Sequence, residues 1–88
     1  MRDVHWQARA WEAYTNNFDD KIFIKKVHTL IKDIQRNGYM CSYGKPEKLK
    51  GLFSGMSSVR IDKKNRLVFE VDDTAVSIIE CGGHYDDK

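Results

Sequence analysis

Apolar positions along the chain change period twice, and the changes divide it into elements. Val4 and Trp6 alternate with polar neighbours, which predicts a short first strand. Ala10, Trp11, Tyr14 and Phe18 then recur at spacings of three and four, a helical stripe of aromatics expected to pack into the core. Asn16 and Asn17 are expected to weaken the middle of that helix, and Asp19-Asp20 to break it and cap the next one. The clearest periodic run follows. Phe23, Val27, Leu30, Ile31 and Ile34 form one face, with Ile24 beside them, while Lys25, Lys26, Lys32 and Asp33 take the other. This is an amphipathic helix of about four turns at about 3.6 residues per turn. Asn37-Gly38 closes it, glycine suiting a left-handed cap.

Residues 39–47 have no period and read as a loop, in which Pro46 is expected to force Lys45 into an extended conformation. Beyond Gly51 and Gly55 the period becomes two. Val59 and Ile61 flank Arg60, and Leu67, Phe69 and Val71 alternate with Arg66, Val68 and Glu70. Asp62 to Asn65 is a four-residue hairpin turn, Asp72-Asp73 a second turn, and residues 75–81 a further strand. If the apolar side faces the helices, Arg60 and Arg66 both project from the open face of the sheet. The order predicts a single α+β domain over residues 1–88, with two N-terminal helices packed on a twisted, mainly antiparallel sheet.

Charge adds a location to this outline. The net charge is only +2, too little for a protein that grips nucleic acid over its whole surface. Residues 1–44 carry +2, residues 45–66 carry +5 and residues 67–88 carry −5. A basic block in a near-neutral chain suggests a focused phosphate site. No window approaches the roughly 18 apolar residues that span a bilayer, and the charged N-terminus is unlike a signal peptide. A cytoplasmic location without membrane contact is therefore expected. Cys41 and Cys81 match no zinc spacing, and the three histidines show none either. No metal or other cofactor is called for.

The basic block holds Lys45, Glu47, Lys48, Lys50, Arg60 and Arg66, and the C-terminal end adds His84 and Tyr85. A carboxylate, an imidazole and several cations are what metal-free cleavage of RNA needs: a proton acceptor, a proton donor and charge for a crowded phosphorus. The segments WQARAWEAY, KKVHTLIKDIQRNG, GKPEKLKG, LFSG, NRLVFEV and the closing HY resemble the YoeB (Txe) branch of the RelE/ParE toxin superfamily, in order and over nearly the whole chain. The resemblance implies a RelE-like fold and a bacterial type II toxin. Such a toxin is an endoribonuclease that inhibits translation by cutting messenger RNA in the ribosomal decoding site, leaving a 2′,3′-cyclic phosphate and a 5′-OH. It further implies a YefM/Phd-type antitoxin as partner, operator DNA bound only through the antitoxin complex, and a homodimer. Matched residue by residue, Glu47 takes the place of the general base and His84 that of the general acid. Arg66 stabilises the phosphate, with Tyr85 completing the catalytic set; Lys50, Arg60 and Lys45 are matched to substrate binding.

The chain departs from that pattern in places. The family usually has an aromatic residue, Trp, Ser, Arg, Arg and Ile where this chain has Met56-Ser57-Ser58-Val59-Arg60-Ile61, and bulkier residues in place of Gly82-Gly83. Losing an arginine and a tryptophan is expected to weaken RNA contacts, and two glycines to loosen the chain before His84. These departures motivate a second reading, a catalytically weakened toxin that acts mainly as an antitoxin-binding co-repressor. A gyrase-poisoning toxin of the ParE branch is a third, disfavoured by the joint presence of Glu47 and His84.

Overall fold

The computed structural model describes residues 1–83. Strand β1 (Asp3–Trp6) leads into helix α1 (Ala8–Asn16) and helix α2 (Lys21–Asn37), and four strands follow: β2 (Glu47–Lys48), β3 (Ser57–Arg60), β4 (Arg66–Val71) and β5 (Ala75–Gly83). They form one five-stranded sheet in the order β1-β5-β4-β3-β2. β1 runs parallel to β5, and every other pairing is antiparallel. The fold class and the placing of the helices on one face of the sheet agree with the sequence pattern. No helix among the described residues is long and apolar enough to cross a membrane.

α2 is the spine of the core. Asp20 caps it, its Oδ1 accepting the Phe23 N–H at 3.0 Å, which satisfies one of the donors that a helix start leaves unpaired. Its stripe Phe23, Val27, Leu30, Ile31 and Ile34 is buried against Val59, Ile61, Leu67, Phe69, Val76, Ile78 and Cys81 of the sheet side. Burying side chains of this size contributes about 1.5–3 kcal/mol each. Gly38 ends the helix at φ +58, its N–H returning to the Ile34 carbonyl.

Four expectations change. α1 stops at Asn16, so the two asparagines end the helix and do not interrupt it. Asn17 closes it, donating from Nδ2 to the Ala13 carbonyl at 2.8 Å. α1 is short and buries only Ala10 and Tyr14. Trp11 and Phe18 are 50% and 60% exposed, because the aromatic stripe is wider than the strip of sheet one short helix can cover. The rings pack on each other instead, Trp6 on Tyr14 at 4.5 Å and on Trp11 at 5.6 Å. Asp33, placed by period on the polar face of α2, is buried at 9% exposure. Finally, the segment read as loop contains a 3₁₀ turn at Gly38–Met40 and the first residue of β2.

Candidate active site on the open face of the sheet

The GKPE segment is held from three sides. Gly44 sits at φ +76, and a Cβ there would lie 2.9 Å from a Leu30 methyl, 2.9 Å from the Val59 Cβ and 3.0 Å from the Arg60 carbonyl oxygen. Only glycine fits that backbone shape in that space. The Gly44 carbonyl accepts the Arg60 N–H at 2.7 Å, tying the loop to β3. Lys45 follows at φ +52. It is left-handed, not extended as its place before Pro46 suggested, because the Gly44 anchor outweighs the local preference of a residue before proline. Upstream, Asp33 supports the same loop. Its Oδ2 accepts the Ser42 and Tyr43 N–H groups, both at 3.0 Å, and its Oδ1 accepts Asn37 Nδ2 at 2.8 Å. Burial alone would raise the Asp33 pKa; the bonds from Tyr43, Asn37 and Ser42 together outweigh it and hold the carboxyl below its ordinary value.

From this loop the chain enters β2, where Glu47 pairs with Ser58 and Lys48 with Ser57. Two residues are too few to show a period, so the strand was illegible in sequence. Across the sheet, Ser58 pairs with Val68 and Arg60 with Arg66. Alternation puts Val59, Leu67 and Phe69 on the helix side. Glu47, Ser58, Arg60 and Arg66 share the opposite, open face, as expected for the two arginines.

There Arg66 joins two of the strands. Its Nη1 donates to Ser58 Oγ at 3.2 Å and reaches Glu47 Oε1 at 3.4 Å. The Arg66 side chain is 25% exposed and that of Glu47 61%, so a half-buried guanidinium meets a carboxylate open to solvent. Ser58 was not singled out in the sequence. Its register opposite Glu47 is the signal that would have found it.

The remaining candidates are distributed around this pair. Arg60 is exposed beside Arg66. Lys45 lines a cleft with Arg60. Lys50 is exposed just beyond β2, and no hydrogen bond or ion pair joins its side chain to Glu47 or Arg66. His84 and Tyr85 lie outside the described residues; β5 carries the chain to Gly83, the register partner of Arg66.

Val59 and Ser57 pair across the sheet with Leu67 and Phe69, on the helix side, so neither vacates the face that carries Glu47 and Arg66. Gly82 is not slack. A Cβ there would come within 2.8 Å of the Phe23 ring, so the glycine lets β5 pass close over α2.

A model of the YoeB-like toxins of bacterial type II toxin–antitoxin systems matches residues 6–85. The chain belongs to the YoeB-like toxin family. It is 40% identical to toxin YoeB of Escherichia coli (strain K12) over 81 residues, 91% of this chain and 95% of that protein. Toxin RelK of Mycobacterium tuberculosis is 36% identical over 86 residues, 97% of this chain and all of the relative. Among solved structures, the YoeB dimer from Staphylococcus aureus superposes with a TM-score of 0.88 at 40% identity, covering 96% of this chain and 98% of that one. YoeB in the heterotetrameric YoeB–YefM complex of the same organism does so with a TM-score of 0.88 at 40% identity, covering 97% and 99%. The RelE-like fold expected of the YoeB branch is therefore the fold of this chain.

Proposed function

We propose that this YoeB-family toxin is a ribosome-dependent endoribonuclease that cuts messenger RNA in the decoding site without a metal. The observation that carries this reading is the Arg66 guanidinium held between Glu47 and Ser58 on the open face of the sheet. It supports a phosphate seat next to a proton acceptor. In the proposed reaction Glu47 removes the proton of a ribose 2′-OH as that oxygen attacks the adjacent phosphorus. The phosphorus–5′-oxygen bond breaks, and His84 delivers a proton to the leaving oxygen. The products are a 2′,3′-cyclic phosphate and a 5′-OH. Arg66, with Arg60 and Lys50, stabilises charge on the non-bridging oxygens, and Tyr85 completes the site.

Each positioned acid or base supplies about 10²–10⁴-fold. The remainder comes from electrostatics and from in-line placement of RNA by the ribosome. The free chain is expected to bind RNA weakly, since few cations reach it. By likeness to the S. aureus YoeB–YefM complex and YoeB dimer, the chain takes a YefM-type antitoxin as partner and dimerises.

The positions of Val59 and Ser57, off the open face, favour an active enzyme over a weakened toxin that only binds its antitoxin. The test adds purified protein to ribosomes programmed with a defined message, with free message in parallel, and maps the ends. A cut confined to the decoding site, leaving a 5′-OH and abolished by Glu47→Ala, is expected. Intact message in both tubes, from protein that still binds antitoxin, would sink the enzyme reading.

A further inference from the structure

Arg60 belongs to two places at once. It stands beside Arg66 on the open face, and it also lines a cleft of about 310 Å³ between α2 and the β3–β4 turn, together with Lys26, Lys45 and Lys63. Lys26 comes from the polar side of α2 and Lys63 from the tip of the hairpin, so three separated stretches of chain converge there. We infer that this cleft is a second RNA-backbone site, in which Lys26 and Lys63 hold phosphates of the strand that runs on from the proposed cut past Arg60. The inference rests on the ribonuclease reading and extends it.

Several observations point to a phosphodiester strand. Lys26, Lys45 and Lys63 line the cleft, with Arg60 at its border, against one carboxylate, Asp62, and that carboxylate is already engaged. Its Oδ1 accepts the Lys64 and Asn65 N–H groups at 2.8 Å, and its Oδ2 accepts Asn65 Nδ2 at 3.0 Å. The Asn65 side-chain bond, with the two backbone bonds, holds the Asp62 carboxyl below its ordinary pKa against the opposing effect of burial. Lys26 feels its charge, yet none of the four cations forms a salt bridge among the described residues. The bond from Arg60 N–H to the Gly44 carbonyl, 2.7 Å, fixes the backbones that carry Lys45 and Arg60 to one spot. The apolar wall, Ile61, is only 2% exposed. Ile61 therefore adds little apolar surface of its own, and the exposed apolar side chain nearby, Ile22, lies in the adjoining groove and not in the cleft. Beyond Lys26 and Lys63 the groove continues to Asp20, where a carboxylate ends the basic track, so it is short.

The test measures binding of a labelled single-stranded RNA to the full chain carrying Glu47→Gln, over a series of salt concentrations. For single strands the salt slope changes by about 0.7 per phosphate contact. Lys26→Ala with Lys63→Ala should therefore flatten it by about 1.4, Lys26→Arg with Lys63→Arg should restore it, and Lys21→Ala with Lys32→Ala should leave it unchanged.

With Glu47 present, the Lys26/Lys63 alanine pair should raise KM for programmed ribosomes with kcat nearly unchanged, as loss of uniform binding does. Messages truncated just past the cut separate the sources. A KM defect that vanishes on them puts the message in the cleft, and one that persists overturns that assignment and puts ribosomal RNA there. An unchanged salt slope with unchanged KM overturns the cleft, as does loss of antitoxin affinity alone. If the unsubstituted chain cuts nothing while the alanine pair still flattens the slope, the RNA site stands and the catalytic reading falls.

Discussion

Replacing Gly44 with alanine is predicted to destabilise the protein far more than its size suggests. The residue lies at φ +76, where a side chain costs about 1–2 kcal/mol. Its new methyl would meet a Leu30 methyl and the Val59 Cβ at 2.9 Å and the Arg60 carbonyl oxygen at 3.0 Å. Two of those three neighbours are backbone or backbone-fixed atoms that cannot swing away. Overpacking of that kind costs roughly 1–3 kcal/mol. Alanine also restricts the unfolded chain, which returns about 0.4–1 kcal/mol. The net expectation is about 1–4.6 kcal/mol, against a total of roughly 4–13 kcal/mol for a domain this size.

Gly51→Ala is the matched control, since Gly51 lies at φ +66 with nothing within 4 Å of its would-be Cβ. With the same return from the unfolded chain and no clash, it should lose about 0–1.6 kcal/mol. Urea unfolding of all three proteins measures both losses from the midpoint and slope. Equal losses for the two variants, or a Gly44→Ala loss under about 1 kcal/mol, would refute the packing argument. Because Gly44 anchors the loop that delivers Glu47, Gly44→Ala protein that remains folded should also cut programmed ribosomes more slowly than its Gly51→Ala counterpart.

Arg66→Ala should lower single-turnover cutting by about 10²–10³-fold. Its stability should fall by about 1–3 kcal/mol, because the fully buried Ser58 hydroxyl loses its donor, while the largely solvated Glu47 pair contributes little; a stability loss with normal cutting would reverse the assignment. Asp33 has a folded pKa below its unfolded value, so its stabilisation is fully present above the unfolded pKa of about 3.9 and is lost as pH falls through the lower folded one. Unfolding midpoints measured from pH 5 to pH 2 should fall less steeply for Asp33→Asn than for the unsubstituted chain, and parallel curves would contradict this. Burial pushes the Cys81 thiol up to about 12 and also raises Cys41, with the Asp33 charge adding to it. Iodoacetamide at pH 8 should accordingly label neither cysteine until urea unfolds the protein, and rapid labelling of the native chain would show that one of them is exposed.

Both helices, the strands other than β2 and the face on which each arginine lies were legible because period alone carries them. The stripe from Phe23 to Ile34 can bury only one side, and alternation through Leu67 and Phe69 forces Arg66 to the other. The hairpin over residues 62–65 was equally plain, since an Asp–Asn pair supplies local hydrogen bonds that close it. Glu47, Arg66, Arg60 and Lys45 could be nominated from residue types and motif order.

Their arrangement could not. β2 has two residues and exists only because β3 lies beside it. The meeting of Arg66 with Glu47 and Ser58 depends on cross-strand register, which no local pattern encodes. Lys45 turned left-handed because Leu30, Val59 and Arg60, distant in sequence, confine Gly44. Asp33 looked like one more surface charge until the fold brought the Ser42 and Tyr43 N–H groups to it. A buried backbone donor needs a partner wherever the fold places it. The sequence by itself determined which side of each element is apolar and which residues can bear charge or move protons. Only the tertiary structure decided which of them touch, because contact across strands is set by packing between segments far apart in the chain.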